Sequence, residues 1–178
     1  MCLIIYSPDG RIPKKHLQRG LTANPDGWGY MFAMDGEIII RKGMERNAFW
    51  AQWRADRPLL TGPLVWHARI GTHGGRDVTN CHPFEVRGHN LAVVHNGIIG
   101  RCAEAGNPLS DTRLFVMTVL EQLPKGFLLN RSVRKLIEAF IGNSKLAFMS
   151  PDGTVDILNE RLGEWHSARW HSARWYSN

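Results

Sequence analysis

Two Asp-Gly turns constrain this chain more than any other feature. Asp35-Gly36 separates residues 28–34 from residues 37–41, and Pro151-Asp152-Gly153 separates residues 145–149 from residues 154–158. A turn of this kind favours positive φ at its central residues, which matches the twist of a tight antiparallel hairpin. At least two antiparallel pairs are therefore expected. Apolar, β-branched or aromatic runs at residues 3–6, 63–70 and 90–95 read as further strands, the first ending in the turn Ser7-Pro8-Asp9-Gly10. Residues 14–21 and 46–55 read as helices. Ser110 is placed to cap a third, with Leu114, Met117 and Leu120 recurring every third residue and expected to face a core. Residues 131–141 give a fourth, with Val133, Leu136, Ile137 and Phe140 at helical spacing. Strands precede, separate and follow the helices without regular βα alternation, so a layered α+β domain is expected rather than a doubly wound sheet.

The chain has 178 residues, enough for one domain with a sizeable core and too few for a second catalytic domain. It is read as a single domain over residues 1–178, with an aromatic-rich tail at 165–178. In that tail Trp165-His166-Ser167-Ala168-Arg169 is repeated at once as Trp170-His171-Ser172-Ala173-Arg174. A five-residue period is too short for a solenoid and reads as a small tandem duplication, or as aromatics packing a terminal strand on the body. Charged residues are 21% and hydrophobic residues 43%, which excludes a disordered chain. No apolar run approaches the roughly 20 residues of a membrane-spanning helix. The start shows no basic leader with a long apolar stretch. Three cysteines cannot all pair, which favours a reducing, cytoplasmic setting. The net charge of +6 would attract anions, but the basic residues are scattered and specify no direct nucleic-acid binding.

Cys2 carries the first chemical suggestion. Removal of Met1 is favoured when the next side chain is small, and it would leave Cys2 with a thiol and a free α-amine. With a reference pKa of about 7.7–8.0, that amine can accept the thiol proton near neutral pH. Alone, Cys2 is as well read as a small buried hydrophobe. Its company changes the reading. Asn24-Pro25-Asp26-Gly27-Trp28-Gly29 is a glycine-punctuated turn leading into a strand. His67-Ala68-Arg69-Ile70-Gly71-Thr72-His73-Gly74 ends another with a cation and a flexible backbone. Asn80-Cys81-His82-Pro83-Phe84 reads as a loop, Val94-His95-Asn96-Gly97-Ile98-Ile99 ends a strand with an amide and a glycine, and Ser110-Asp111-Thr112 opens a helix.

In this order after a Met-Cys start, these motifs resemble the class II glutamine amidotransferases, N-terminal-nucleophile hydrolases that release ammonia from glutamine. The resemblance spans residues 2 to 112 and is strongest to stand-alone glutaminase-type members. It implies a four-layer αββα sandwich and no cofactor or metal. It implies that Cys2 attacks the glutamine side-chain amide through a thioester, giving glutamate and ammonia. The Asn96 side chain and the Gly97 backbone N–H would form the oxyanion hole, as the chemistry requires. Arg69 resembles the clamp on the α-carboxylate, for which a guanidinium fork is suited. The Thr72 hydroxyl and His73 backbone N–H would assist, and Asp111 resembles the partner of the α-ammonium group while remaining able to cap its helix. Ile70-Gly71 sets the chain apart from sugar-transferring relatives, while Ile98-Ile99-Gly100 lacks the asparagine common after that motif and Arg113 stands where an acid is usual. Glutamine is the implied substrate, and the ammonia is expected to pass to a separate acceptor synthetase or transferase, or to be released.

Three other readings stand beside this one. His67, His73, His95, Cys81-His82 and Cys102 crowd the middle third, but no Cys-x-x-Cys pair accompanies them, so a metal site is not expected. An amide hydrolase for acylated amines would keep the fold, although a zwitterion clamp of Arg69 and Asp111 argues against it. An inactive binding module would use the basic surface and the Trp-rich tail.

Overall fold

The computed structural model describes residues 2–168 and 171–178. Met1, Arg169 and Trp170 lie outside the described residues, and with them the expected processing of Met1 and the centre of the tandem repeat. The strands are β1 (Leu3–Ser7), β2 (Trp28–Met34), β3 (Glu37–Gly43), β4 (Leu64–Ala68), β5 (Phe84–Val86), β6 (Leu91–Asn96), β7 (Lys145–Met149), β8 (Val155–Leu158), β9 (Glu164–Ala168) and β10 (His171–Tyr176). The α-helices are α1 (Lys14–Ala23), α2 (Arg46–Asp56), α3 (Asp111–Thr118) and α4 (Arg131–Ile141).

Two antiparallel sheets result, one in the order β3-β2-β4-β1-β10-β9 and the other β5-β6-β7-β8. Both Asp-Gly hairpins form where the turn chemistry demands. Asp35 and Gly36 both have positive φ between β2 and β3, and Gly153 has φ 84° between β7 and β8. Alternation along the strands sorts side chains into three apolar layers. Ile5, Tyr30, Phe32 and Trp66 pack with Leu17 of α1 and with Phe49 and Trp53 of α2. Ile4, Met31, Val65, Val94, Ala147 and Trp175 fill the space between the sheets. Val93, Leu146 and Phe148 pack with Phe115 of α3 and with Ile137 and Ile141 of α4. Helices, sheet, sheet, helices: this is the four-layer αββα sandwich expected from the sequence.

Some local expectations need correction. In α3 the core face is Asp111, Thr112, Phe115 and Val116, while Met117 is 43% exposed and Leu120 is buried from a short 3-10 turn after the helix. The helix breaks at Val119, so the three-residue spacing continues through a different geometry. In α4 it is Ile137 and Ile141 that are buried, whereas Leu136 is 69% exposed. A stripe rotated by one residue still fits the same run of apolar letters, and only the position of the sheet decides between them. Phe84, read as the end of the loop at residues 80–84, instead opens the edge strand β5, paired with β6 through Phe84↔Val93.

The aromatic-rich segment is built into the first sheet. β10 pairs with β1 through Ile5↔Tyr176 and Tyr6↔Trp175, and β9 pairs with β10. Trp175 is fully buried between the sheets and donates its indole N–H to the Glu160 carbonyl at 3.0 Å.

Candidate active site

One end of the inter-sheet space gathers the polar side chains. β1 and β4 are in register with Leu3↔Ala68 and Ile4↔His67, so Cys2, one residue earlier, stands opposite Arg69. Ile4 and Val65 face the other sheet, and by alternation so do Cys2, His67 and Arg69. On β6 Ala92 and Val94 face the first sheet, and Asn96 follows them. Three strand ends from two sheets thus open on a common mouth.

The Cys2 thiol is half-buried, with Sγ 3.6 Å from the Ile70 carbonyl oxygen. Burial pushes its pKa above the usual thiol value, and the Ile70 carbonyl contact and, after it, the Arg69 guanidinium pull it part of the way back. Asp111 also acts electrostatically on Cys2, in the raising direction.

Arg69 is buried at 2% exposure. One terminal nitrogen, Nη2, donates to the carbonyls of His73 at 3.0 Å and Gly75 at 3.2 Å, while the other, Nη1, is buried without a hydrogen-bond partner. The unpartnered Nη1 leaves half of the planar, charged fork available for an anion. The loop around it is held by Asp26. Its backbone N–H donates to the Arg69 carbonyl at 3.0 Å, and its carboxylate accepts the Gly71 N–H at 2.9 Å. The Asn-Pro-Asp-Gly turn is therefore a brace for the Arg69 loop. Gly71 packs over the guanidinium, where a Cβ would lie 3.3 Å from Nη1.

Thr72 is exposed on that loop, and His73 is half-buried and meets Arg69 through its carbonyl. Gly97 has φ 139°, and a Cβ there would lie 2.8 Å from the Ser144 Cα. Only glycine fits both the backbone and the space. Asp111 is buried at the start of α3. One carboxylate oxygen accepts the Ile99 N–H at 2.8 Å and the other the Thr112 N–H at 2.8 Å, while Ser110 caps the helix by accepting the Arg113 N–H at 3.2 Å. Asp111 thus ties the helix to the segment just after Asn96-Gly97. Both oxygens retain lone pairs for a further donor.

Asn96 is fully buried, and its neighbours were not legible in the sequence. Its side-chain nitrogen donates to Ser177 Oγ at 2.7 Å and to Asn178 Oδ1 at 2.5 Å, while its own oxygen has no partner. Lys145, opposite Asn96 in the β6–β7 register, donates from Nζ to the Ser177 carbonyl at 2.8 Å. These residues have ordinary letters, without motif or periodicity, and only sheet pairing reveals them.

Three histidines lie behind the mouth. The rings of His67 and His82 are 4.2 Å apart, and His82 and His95 are 6.3 Å apart. Burial holds all three neutral, pulling His67 down to about 3, His95 to about 4 and His82 well below the usual imidazole value. His67 Nε2 is 3.0 Å from the His95 carbonyl, and His95 Nδ1 is 2.7 Å from Thr112 Oγ1. Among the described residues no group of three or more His, Cys, Asp or Glu is placed to hold a metal ion. Cys81 lies instead against Met44, with the sulfurs 3.4 Å apart. Among the described residues no helix is long and apolar enough to cross a membrane.

With this geometry established, the likeness to known proteins is informative. No family model matches the chain. It is 42% identical over 80 residues to a glutamine-fructose-6-phosphate aminotransferase (isomerizing) of Corynebacterium efficiens, covering 44% of this chain and 13% of that protein. It is 26% identical over 149 residues to the protein of the same name from Neisseria meningitidis, covering 78% of this chain and 24% of that one. The chain therefore spans less than a quarter of the length of these curated relatives. In fold it is similar to the glutamine phosphoribosylpyrophosphate amidotransferase of B. subtilis, with a TM-score of 0.65 and 16% identity over 99% of this chain and 42% of that one. It is also similar to a glutamine aminotransferase class-II domain protein from Silicibacter pomeroyi, with a TM-score of 0.55 and 13% identity over 99% and 87% of the two chains. Sequence and fold agree in direction: the chain is similar in sequence to glutamine-fructose-6-phosphate aminotransferases and in fold to glutamine amidotransferase structures.

Proposed function

We propose that this chain hydrolyses the side-chain amide of glutamine. The observation that carries the reading is the meeting of Cys2 and Arg69 at adjacent strand ends, with half of the guanidinium unpartnered and Asn96 at the end of β6 in the facing sheet. The α-carboxylate of glutamine pairs with Arg69, its α-ammonium with Asp111, and its carboxamide lies against Cys2. Thr72 and the His73 N–H close over the carboxylate.

The resting thiol is neutral, since burial raises its pKa, so attack requires a base at hand. The α-amine of Cys2, freed by loss of Met1, takes the thiol proton as sulfur bonds to the amide carbon. The carbonyl electrons move to oxygen, held by the Asn96 side-chain N–H and the Gly97 backbone N–H. Collapse breaks the C–N bond, the ammonium proton passes to the leaving nitrogen, and ammonia departs to leave a thioester. Water, deprotonated by the same amine, hydrolyses it to glutamate and regenerates Cys2. The ammonia passes to a separate acceptor synthetase or transferase, or is released. A zwitterion clamp disfavours acylated amines as substrates. The free thiols of Cys2, Cys81 and Cys102 favour a reducing, cytoplasmic setting.

The test pairs intact mass with product analysis. A chain whose mass corresponds to a start at Cys2 is expected to form glutamate and ammonia from glutamine, and Cys2→Ala is expected to abolish both. Verified processing without glutamate formation in the isolated protein would favour the reading as an inactive binding module. Restoration of turnover by a co-purified acceptor enzyme would return the reading to an enzyme that depends on its partner.

A further inference from the structure

The Asn96 carboxamide has two N–H groups, and both are engaged: one by Ser177 Oγ and one by Asn178 Oδ1. An oxyanion needs one of them. The two acceptors are held very differently, and this difference decides which one yields.

Ser177 is fully buried and fixed from every side. Its backbone N–H donates to the Ile4 carbonyl at 3.1 Å, its hydroxyl oxygen accepts the Ile4 N–H at 2.8 Å, and its carbonyl accepts Lys145 Nζ. Ile4 belongs to the first sheet, Asn96 and Lys145 to the second. One serine therefore links the strand that carries Cys2 to the strand that carries Asn96. Displacing it would orphan several buried polar groups at once. Asn178 is exposed, and among the described residues its side-chain oxygen is hydrogen-bonded by Asn96 and by the Ser177 hydroxyl, the latter at 3.0 Å. Its displacement breaks two hydrogen bonds, from the Asn96 N–H and the Ser177 hydroxyl, which water or a ligand can replace at the exposed side. Its side chain is also a primary carboxamide, the same group as the head of glutamine, with its oxygen already on the Asn96 nitrogen.

We propose that Ser177 is the positioning residue that aims the Asn96 amide, and that the Asn178 carboxamide occupies the remaining N–H as a tethered competitor until the carboxamide of glutamine displaces it. The inference rests on the glutaminase reading and adds to it a positioning residue and a substrate-mimicking contact from the strand end beside β10. The resting site is thereby kept hydrogen-bonded instead of holding an unpaired buried N–H. Glutamine exchanges like for like at this point and gains its affinity from the Arg69 and Asp111 end.

The test uses the full chain, with processing at Cys2 verified by mass. Asn178→Ala is expected to lower KM for glutamine about 3- to 10-fold with little change in kcat, since a competitor has been removed. Ser177→Ala is expected to lower kcat about 10- to 100-fold with a smaller change in KM, short of the roughly 100- to 1000-fold loss of an entire oxyanion donor, and Ser177→Thr to restore most of it. A purely structural role for Ser177 would lower the melting temperature without this split. A second arm does not require turnover. The side-chain amide protons of Asn96, followed by NMR, should both be protected from exchange in the parent protein, with Asn178→Ala exposing one and Ser177→Ala loosening both. An unchanged KM together with unchanged Asn96 exchange in Asn178→Ala overturns the proposal, as does wild-type kcat in Ser177→Ala. A parent protein inert toward glutamine defeats the glutaminase reading instead, and the exchange arm then still decides the geometry.

Discussion

Gly97 lies against Ser144 so closely that a Cβ at position 97 would come within 2.8 Å of the Ser144 Cα, on a backbone with φ 139°. Ser144 is itself anchored, its hydroxyl donating to the Ile98 carbonyl at 3.2 Å, so it cannot retreat without loss. Gly97→Ala combines backbone strain with a steric clash, and a stability loss of about 2–4 kcal/mol is expected. Glutamate formation should fall by at least about 100-fold, because the backbone N–H at 97 moves with the strained peptide. Thermal melts and initial rates on the same sample check both.

Arg69 has two duties that substitution can separate. Its Nη2 holds the His73 and Gly75 carbonyls, and its unpartnered Nη1 is the group proposed to take the substrate carboxylate. Arg69→Lys retains a charge but loses the fork, since an ammonium cannot hold two carbonyls and a carboxylate in one plane. Loss of about 3 kcal/mol of charge-assisted contact corresponds to a rise of roughly 100-fold in KM for glutamine. Steady-state kinetics over a wide range of glutamine concentration provide the check, and an unaltered KM would remove Arg69 from the clamp.

The buried histidines predict sensitivity to acid. His67 and His95 are pulled by burial to about 3 and about 4, below the ordinary imidazole value of 6.5. Above that value both states are neutral there and stability is flat. As pH falls below about 6.5 the unfolded chain binds protons that the folded chain refuses, so stability declines until the folded pKa values are reached. Each of these two groups contributes a loss of roughly 1.4 kcal/mol by pH 5.5. Urea midpoints measured between pH 8 and pH 5 should fall accordingly, and His67→Gln should flatten the slope.

Trp175 tests whether the terminal hairpin belongs to the core. It is fully buried between the sheets, its ring lies against Gly163, and its indole N–H is bonded to Glu160. Trp175→Ala is expected to cost about 3–5 kcal/mol and to broaden or lower the melting transition. Because Ser177 follows two residues later, the same variant should reduce glutaminase turnover. A melting temperature close to that of the parent would mean the hairpin is dispensable.

Much of the architecture was written locally. The Asp35-Gly36 turn needs positive φ at successive residues, and the flanking β-branched and aromatic runs need a pleated partner, so that hairpin follows from adjacent residues alone. The motif residues Cys2, Arg69, Asn96, Gly97 and Asp111 could likewise be named from the order of short segments. The Asn-Pro-Asp-Gly turn was visible too, but its work as a brace on Gly71 was not. The faces of α3 and α4 were beyond a one-dimensional pattern, because Leu136 and Ile137 are both apolar and adjacent. Which of them is buried depends on where the sheet lies.

What tertiary structure alone decided is the company of Asn96. Ser177 is separated from it by 81 residues and from Ile4 by 173, yet touches both. Hydrophobic periodicity and turn chemistry act over a few residues, whereas these contacts exist because β10 pairs with β1 and because the two sheets are stacked. The sequence by itself thus determined the two Asp-Gly hairpins, most of the strands and the four helices, and it named the candidate site residues on which the proposed function rests. The packing of sheet on sheet determined which N–H groups are free, which are occupied and by what, since that depends on distances in space that no local pattern carries.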